Sequence, residues 1–271
     1  MAFEPGQAVV VTDEAHLAQY GRAFRKVGKS IVVVPLTTGI HAGHISLIRA
    51  ARSLLGAYVF VIYQGTPGEP VPEDFAREGV DVVFHGELAT TARIHTYLDH
   101  LEDADSIAHD TARIIAAANL THATDLVMGE KDFELLVATQ LAVTSLRMEV
   151  KLHSVPTVRM PDGIAISLRN ADVPEAQRDA ALALSAALTA GAHAAEHGEK
   201  VVLDTARGVL EAAGLTPAYL ALRDLAFRPA PETGDARLLA AVDLGGVHLL
   251  DNVGLPLGVG FKHIEASPEN S

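Results

Sequence analysis

Four consecutive β-branched residues, Ile31, Val32, Val33 and Val34, followed closely by Pro35, Gly39 and a pair of histidines, constrain this chain more than any other stretch. An unbroken apolar run of this kind suits a strand buried on both faces of a parallel sheet, because a half-solvated strand would alternate apolar and polar residues. Pro35 is expected to end the ladder, since proline brings no N–H to it. Thr37, Thr38 and Gly39 then make a turn, and His41-Ala-Gly-His44 sets two imidazoles three residues apart, on one side of the helix that follows. Such a junction suits phosphate. The first N–H groups of a helix lack partners within it, and its dipole adds roughly half a positive charge there. Gly43 lets backbone and ligand approach closely. Either histidine alone reads equally well as a cap or a packing residue; the pair directly after a buried strand points to a nucleotide site.

Elements alternate on both sides of this stretch. Gln7–Thr12 reads as a short strand and Asp13–Val27 as a helix capped by Thr12 or Asp13, with Gly28 beyond its end. The helix opened by the histidines carries Leu47, Ile48, Ala51, Leu54 and Leu55 on one face and is expected to run until Gly56 stops it. Tyr58–Tyr63 and Val80–Phe84 read as strands, separated by a loop over Gly65–Pro72 and a short helix starting near Pro72. Glu87–Asn119 is expected to be mostly helical, with an acidic break at Leu101–Asp105. Leu126–Met128, Phe133–Leu146 and Glu149–Val158 continue as strand, helix and strand. This alternation predicts an α/β fold, a Rossmann-like doubly wound parallel sheet.

The pattern changes near Asp172–Pro174. Pro174–His197 and Lys200–Ala213 are Ala-rich helices, followed by strands at Tyr219–Arg223, Arg237–Leu244 and Gly246–Leu250, with Gly245-Gly246 as a hairpin signal. Two domains are therefore expected, residues 1–171 and a smaller α+β domain over residues 172–271, ending in a frayed tail at Phe261–Ser271.

Composition removes several classes of function. With 271 residues, 49% of them hydrophobic, the chain has enough apolar surface for proper cores. A net charge of −13 argues against a nucleic-acid-binding face, which must be basic. The absence of cysteine removes disulfides and thiolate chemistry and fits a cytoplasmic protein. The N-terminal residues lack the pattern of a signal peptide and no apolar run is long enough for a membrane span, so neither export nor a membrane partner is expected. The 13 histidines include His95, His100 and His109, near Asp99 and Asp103, but their spacing matches no zinc pattern.

His41-Ala-Gly-His44 resembles the HxGH signature of the nucleotidyltransferase superfamily. Three further segments narrow the resemblance: Gly129-Glu-Lys-Asp-Phe133, then Val155-Pro-Thr-Val-Arg159 with Asp162-Gly163, then Ile166-Ser-Leu-Arg-Asn170. In this order, and with Leu249-Leu-Asp-Asn252 near the C-terminus, they resemble the pantothenate synthetase family, whose members join pantoate to β-alanine. The resemblance implies adenylation of a carboxylate by ATP, release of pyrophosphate, and transfer of the acyl group to an amine with release of AMP. It implies catalytic roles for His41, His44, Lys131 and Arg169, and ATP contacts at Pro35, Thr37, His41, Gly43, His44, Gly129, Lys131, Asp132, Val158, Ser167 and Arg169. Mg2+ would ride on the ATP phosphates, as hard cations prefer oxygen and water. It further implies that residues 1–171 form the ATP-binding and adenylation domain, that residues 172–271 are lid-like, and that the protein is a homodimer.

The departures from the family fall mainly on the side of the acid. The family's PTMGALHEGH is Pro35-Leu-Thr-Thr-Gly-Ile-His-Ala-Gly-His44 here, with Thr37 for its methionine. Its FVNPxQF has no clear counterpart in Phe60–Pro67, and after Gly129-Glu-Lys-Asp132 its two glutamines are Glu134 and Leu135. Leu168 replaces a phosphate-binding serine, and the RPxHF loop is absent, its place taken by something near Glu102–His109. A site built to hydrogen-bond a hydroxy acid loses strongly when its partners go. The first expectation is therefore an amide ligase for a carboxylic acid other than pantoate, with Thr37, Tyr63, Gln64, Glu134 and Leu135 reading it; Tyr63, Gln64 and Glu134 each also fit as strand-end or helix-surface residues. The alternatives are a genuine pantoate–β-alanine ligase, a degenerate nucleotide-binding homologue without turnover, and a nucleotidyltransferase that makes a dinucleotide.

Overall fold

The computed structural model describes residues 3–259 except Thr38, Pro67 and Ala89, so the expectations for Thr38 and for the tail Phe261–Ser271 lie outside the described residues. The chain separates into two units, Met1–Val173 and Pro174–Ser271. In the first, β1 (Val9–Val11), α1 (Glu14–Lys26), β2 (Ile31–Leu36), α2 (Ala42–Arg52), β3 (Tyr58–Tyr63) and α3 (Asp74–Arg77) are followed by β4 (Val82–His85), α4 (Ala104–Thr121), β5 (Asp125–Gly129), α5 (Phe133–Ser145) and β6 (Lys151–Val155). The strands form one sheet in the order β1-β4-β3-β2-β5-β6, with every neighbouring pair parallel. From β2 the chain moves to β3 and β4 on one side and later to β5 and β6 on the other. The winding reverses between β2 and β5, and open parallel sheets bind ligands beyond the strands' carboxyl ends at such a reversal.

Ile31, Val32, Val33 and Val34 have no exposed surface, as a run buried on both faces requires. Val32, Val34 and Leu36 share one face with Val59, Val61 and Val127, and that face packs under Ile48 and Ala51 of α2 and Phe75 of α3. The spacing of two along each strand decides which residues meet the helices.

Three local expectations are corrected. Pro35 does not end β2: it pairs with Ile62, and Leu36 pairs with Tyr63. The Leu36 carbonyl accepts from Gln64 N of the β3 side, so the Pro35 backbone faces β5, where pairing stops at Val33–Leu126 and no N–H is needed. The second correction concerns α2, which ends at Arg52, well before Gly56. Leu54 still packs on the core, whereas Leu55 is fully exposed. The third lies in Glu87–Asn119, where helix begins only at Ala104, with Asp103 as its cap accepting from Ser106 N at 2.8 Å. Upstream, Tyr97 sits at φ +54°, and the Leu101 and Glu102 amides are held by the carboxylate of Glu134 rather than by a helix.

The second unit contains α6 (Arg178–His193), α7 (Glu199–Ala212), β7 (Tyr219–Asp224), β8 (Gly234–Leu244) and β9 (Val247–Leu257). The three strands are antiparallel in the order β7-β8-β9. Gly245 and Gly246, at φ +60° and +85°, turn β8 into β9, a conformation that glycine adopts without steric cost. No helix among the described residues is long and apolar enough to cross a membrane.

Candidate active site at the sheet reversal

The β2–α2 and β5–α5 loops leave the sheet on the two sides of the reversal; the first leads into the histidine pair and the second carries Lys131 and Asp132. His41 is the cap of α2: its Nδ1 accepts from Gly43 N at 3.0 Å. An accepting Nδ1 is unprotonated, so the neutral ring carries its proton on Nε2 and has that donor left for a ligand. Glycine at position 43 leaves room for the His41 ring, because a Cβ there would lie 2.8 Å from His41 Cε1 and 2.9 Å from Nδ1 and the ring would have to move. His44, one helical turn on, stacks on His41 with ring centroids 3.8 Å apart and planes 23° from parallel.

The environment keeps both rings neutral. Burial lowers the pKa of His41, the Lys131 charge lowers it further, and Asp132 opposes. In His44, burial, followed by the charge of His41, lowers the pKa to about 4, opposed by Asp132 and the Gly39 backbone. His44 Nδ1 is buried with no hydrogen-bond partner among the described residues. These electrostatic effects bring Lys131 and Asp132, from the other side of the reversal, to the histidine pair. Lys131 Nζ lies 3.7 Å from Asp132 Oδ1; the lysine is largely covered and the aspartate exposed. Gly129 ends β5 opposite Val155.

The segment after β6 folds back on itself. Arg159 bridges Ala165 in antiparallel fashion, and Ile166 N donates to the Val158 carbonyl at 2.9 Å, which sets Val158 near Ser167. Ser167 Oγ caps the short 3₁₀ turn that follows by accepting from Arg169 N at 3.3 Å, and Arg169 itself is exposed. Leu168 reaches the β2–α2 loop: a Cβ on Gly39 would lie 2.7 Å from its Cδ1. The Ser167–Asn170 segment is thereby brought to the loop that leads into the histidines, although the side chain making that contact is an apolar one.

The residues expected to read the acid are not gathered in this way. The Tyr63 hydroxyl accepts from Gly39 N at 3.1 Å and so braces the same loop. Glu134 is buried, and its carboxylate is committed to His100 Nδ1 at 2.6 Å and to the amides of Leu101 and Glu102 at 3.2 and 3.1 Å. It anchors the segment before α4, and its burial corrects the reading of Glu134 as a helix-surface residue. Leu135, beside it, is half-buried, and Thr37 is exposed, its carbonyl accepting from Gly65 N. Gln64 and Pro35 do line a cavity, together with Ile62 and Arg113. Arg113 carries no sequence signal: it lies mid-helix in α4, outside every motif. Among the described residues no group of three or more His, Asp or Glu side chains is arranged to hold a metal ion.

Comparison with known proteins places these features in a family. The model of the pantoate-beta-alanine ligase family matches residues 73–254, beginning downstream of the histidine pair. The pantothenate synthetase of Corynebacterium jeikeium (strain K411) is 40% identical, over all of this chain and 97% of the relative, so that similarity takes in the histidines as well. In three dimensions, the pantothenate synthetase of Thermus thermophilus superposes with a TM-score of 0.77 over 90% of this chain and 98% of that one, at 24% identity. The pantoate-beta-alanine ligase of Francisella tularensis, solved with a β,γ-ATP compound and β-alanine, gives a TM-score of 0.69 at 19% identity, over 91% of this chain and 97% of that one. The fold is thus that of these enzymes, and on its family match and full-length similarity the chain belongs to the pantoate–β-alanine ligase family, AMP-forming ligases that make an amide bond.

Proposed function

We propose that this protein is a pantoate–β-alanine ligase that uses ATP and works through an acyl adenylate. The observation that supports the chemistry is the meeting of a neutral histidine pair at the start of α2 with Lys131 across the sheet reversal, close enough for the lysine to shift the pKa of His41. The choice of pantoate and β-alanine rests on the named relatives. A carboxylate oxygen of pantoate attacks the α-phosphorus of ATP, the bond to the β-phosphate breaks, and pyrophosphate leaves. The neutral amine of β-alanine then attacks the acyl carbon, AMP departs with the oxygen, and the amine gives up its proton.

No covalent bond to the protein is needed, so the protein's contribution is alignment and charge. In this reading His41 Nε2–H and the first amides of α2 bind phosphate oxygens without adding charge, and Lys131 neutralises the leaving pyrophosphate. Ser167 and Arg169 add donors from the third segment, the guanidinium offering a planar fork. Mg2+ would arrive on the phosphates and supply further charge neutralisation, with Asp132 the exposed carboxylate beside Lys131. Residues 1–171 carry all of these groups, and ATP is the nucleotide they serve.

An acid other than pantoate, the first expectation from the sequence, has less support, because a relative 40% identical over the whole chain is a pantothenate synthetase. The two readings separate in one experiment, acid-dependent exchange of labelled pyrophosphate into ATP with pantoate beside a panel of short carboxylic acids. Pantoate is expected to give the fastest exchange; exchange confined to another acid would overturn the pantoate assignment while leaving the adenylation chemistry intact.

A further inference from the structure

The cavity at the carboxyl ends of β2 and β3 is a narrow recess, partly open to solvent and walled largely by apolar side chains, among them Pro35, Leu36, Ile62 and Ile114. Arg113 is the only cationic side chain lining it among the described residues. The Arg113 side chain is 17% exposed, and its Nη1 donates to Gln64 Oε1 at 3.1 Å. Asp110, one turn earlier on α4, lies 3.9 Å from the same nitrogen, beyond hydrogen-bond range and itself well exposed. Glu87 also lines the cavity and sets a limit on its net positive charge.

A guanidinium carries five N–H donors in a planar fork, and both contacts here are made at Nη1. Gln64 holds one edge of the fork in place, and its own amide N–H group donates to none of the described residues. Donors set in a largely apolar recess, with Glu87 also on its lining, match a small acid with a compact hydrocarbon body and oxygen atoms at its end. They match β-alanine poorly, because its ammonium group would meet the guanidinium. The cavity also adjoins the loop that carries His41, since Pro35 and Leu36, the last residues of β2, form part of its wall.

We propose that Arg113, positioned by Gln64, is the residue that selects and orients the carboxylic acid substrate, bonding its carboxylate or hydroxyl oxygens while the apolar walls cover its body. This rests on the ligase reading above and deepens it by naming the group that reads the acid. It takes over the part that the sequence had assigned to Glu134, whose carboxylate is spent on the segment before α4.

The test is steady-state pyrophosphate release by the wild-type protein and by Arg113→Ala, Arg113→Gln and Arg113→Lys, varying pantoate at saturating ATP and β-alanine, then varying ATP. Loss of a charge-assisted hydrogen bond predicts an acid KM raised by roughly 10- to 100-fold in the Ala and Gln variants, with kcat and the ATP KM changed by less than about threefold. Arg113→Lys keeps a cation without the fork and is expected to fall between wild type and Gln; it also serves where the shorter variants fail to fold. An unchanged acid KM in any variant with wild-type melting behaviour overturns the proposal, as does a loss confined to kcat. A wild-type protein that turns over another short carboxylic acid and not pantoate overturns the pantoate assignment alone, and the same comparison made with that acid decides Arg113. No acid-dependent turnover in the wild type overturns both.

Discussion

The proposed nucleotide side and the proposed acid side of this site are assembled in opposite ways. On the nucleotide side, His41, Gly43 and His44 lie within one turn of helix, and a single hydrogen bond from Gly43 N to His41 organises them. Lys131 and Asp132 follow directly on the next strand of the reversal. On the acid side, Pro35, Gln64 and Arg113 come from three separate elements, and the pairing of Gln64 with Arg113 spans 49 positions. Local geometry tolerates little change, and so it leaves a motif in the sequence. A cavity wall assembled from distant elements leaves none, because any residue of suitable size and polarity can be delivered from more than one place.

The largest effect that would test this contrast is on catalysis. Lys131→Ala should lower kcat by roughly 100- to 1000-fold, the usual consequence of removing one preorganised stabiliser of developing charge, with little change in acid KM. Pyrophosphate-release kinetics check it, and a rise in acid KM alone would blur the division between the two sides. Gly43→Ala should come next. Its methyl would collide with the imidazole of His41, cost on the order of 1 kcal/mol of cap stability, and lower kcat/KM for ATP by about 10- to 100-fold through misplacement. Thermal melting and ATP titration together would show it.

Glu134→Ala strikes the anchor of the segment before α4 and leaves three donors without an acceptor. It should cost about 1–3 kcal/mol in urea unfolding while sparing the ATP KM. A change in acid selectivity without loss of stability would return Glu134 to the substrate side. A smaller effect is expected from pH. Burial holds the folded-state pKa of His44 at about 4, below the ordinary imidazole value of 6.5, so the unfolded chain takes up this proton first as the pH falls. The stability due to its neutral ring is therefore complete above about pH 6.5 and is lost progressively as the pH drops toward 4. Urea unfolding across that range should show a shallower pH dependence in His44→Gln than in the wild type. Least of all, Leu168→Ser replaces a half-exposed side chain that rests on Gly39. It should change stability by no more than about 0.5 kcal/mol and the ATP KM by about twofold, and a large gain in ATP affinity would make position 168 part of the phosphate site.

The sequence alone determined the parts of this protein that obey short-range rules. The unbroken run Ile31–Val34 demanded a strand buried on both faces, the alternation around it demanded a parallel sheet, and Gly245-Gly246 demanded a hairpin, because each depends on residues close together in the chain. Tertiary structure decided the rest. Pro35 stays in β2 because its neighbour on the β5 side has already turned away, a fact of register that no local propensity contains. Leu101 and Glu102 stay outside the helix because their amides are satisfied by a carboxylate more than thirty residues away, and a helix there would compete for the same donors. The same reason separates the two sides of the site. A histidine cap is written in four consecutive residues, whereas a guanidinium beside an amide across an apolar cavity exists only after α4 has packed on the sheet and brought them together.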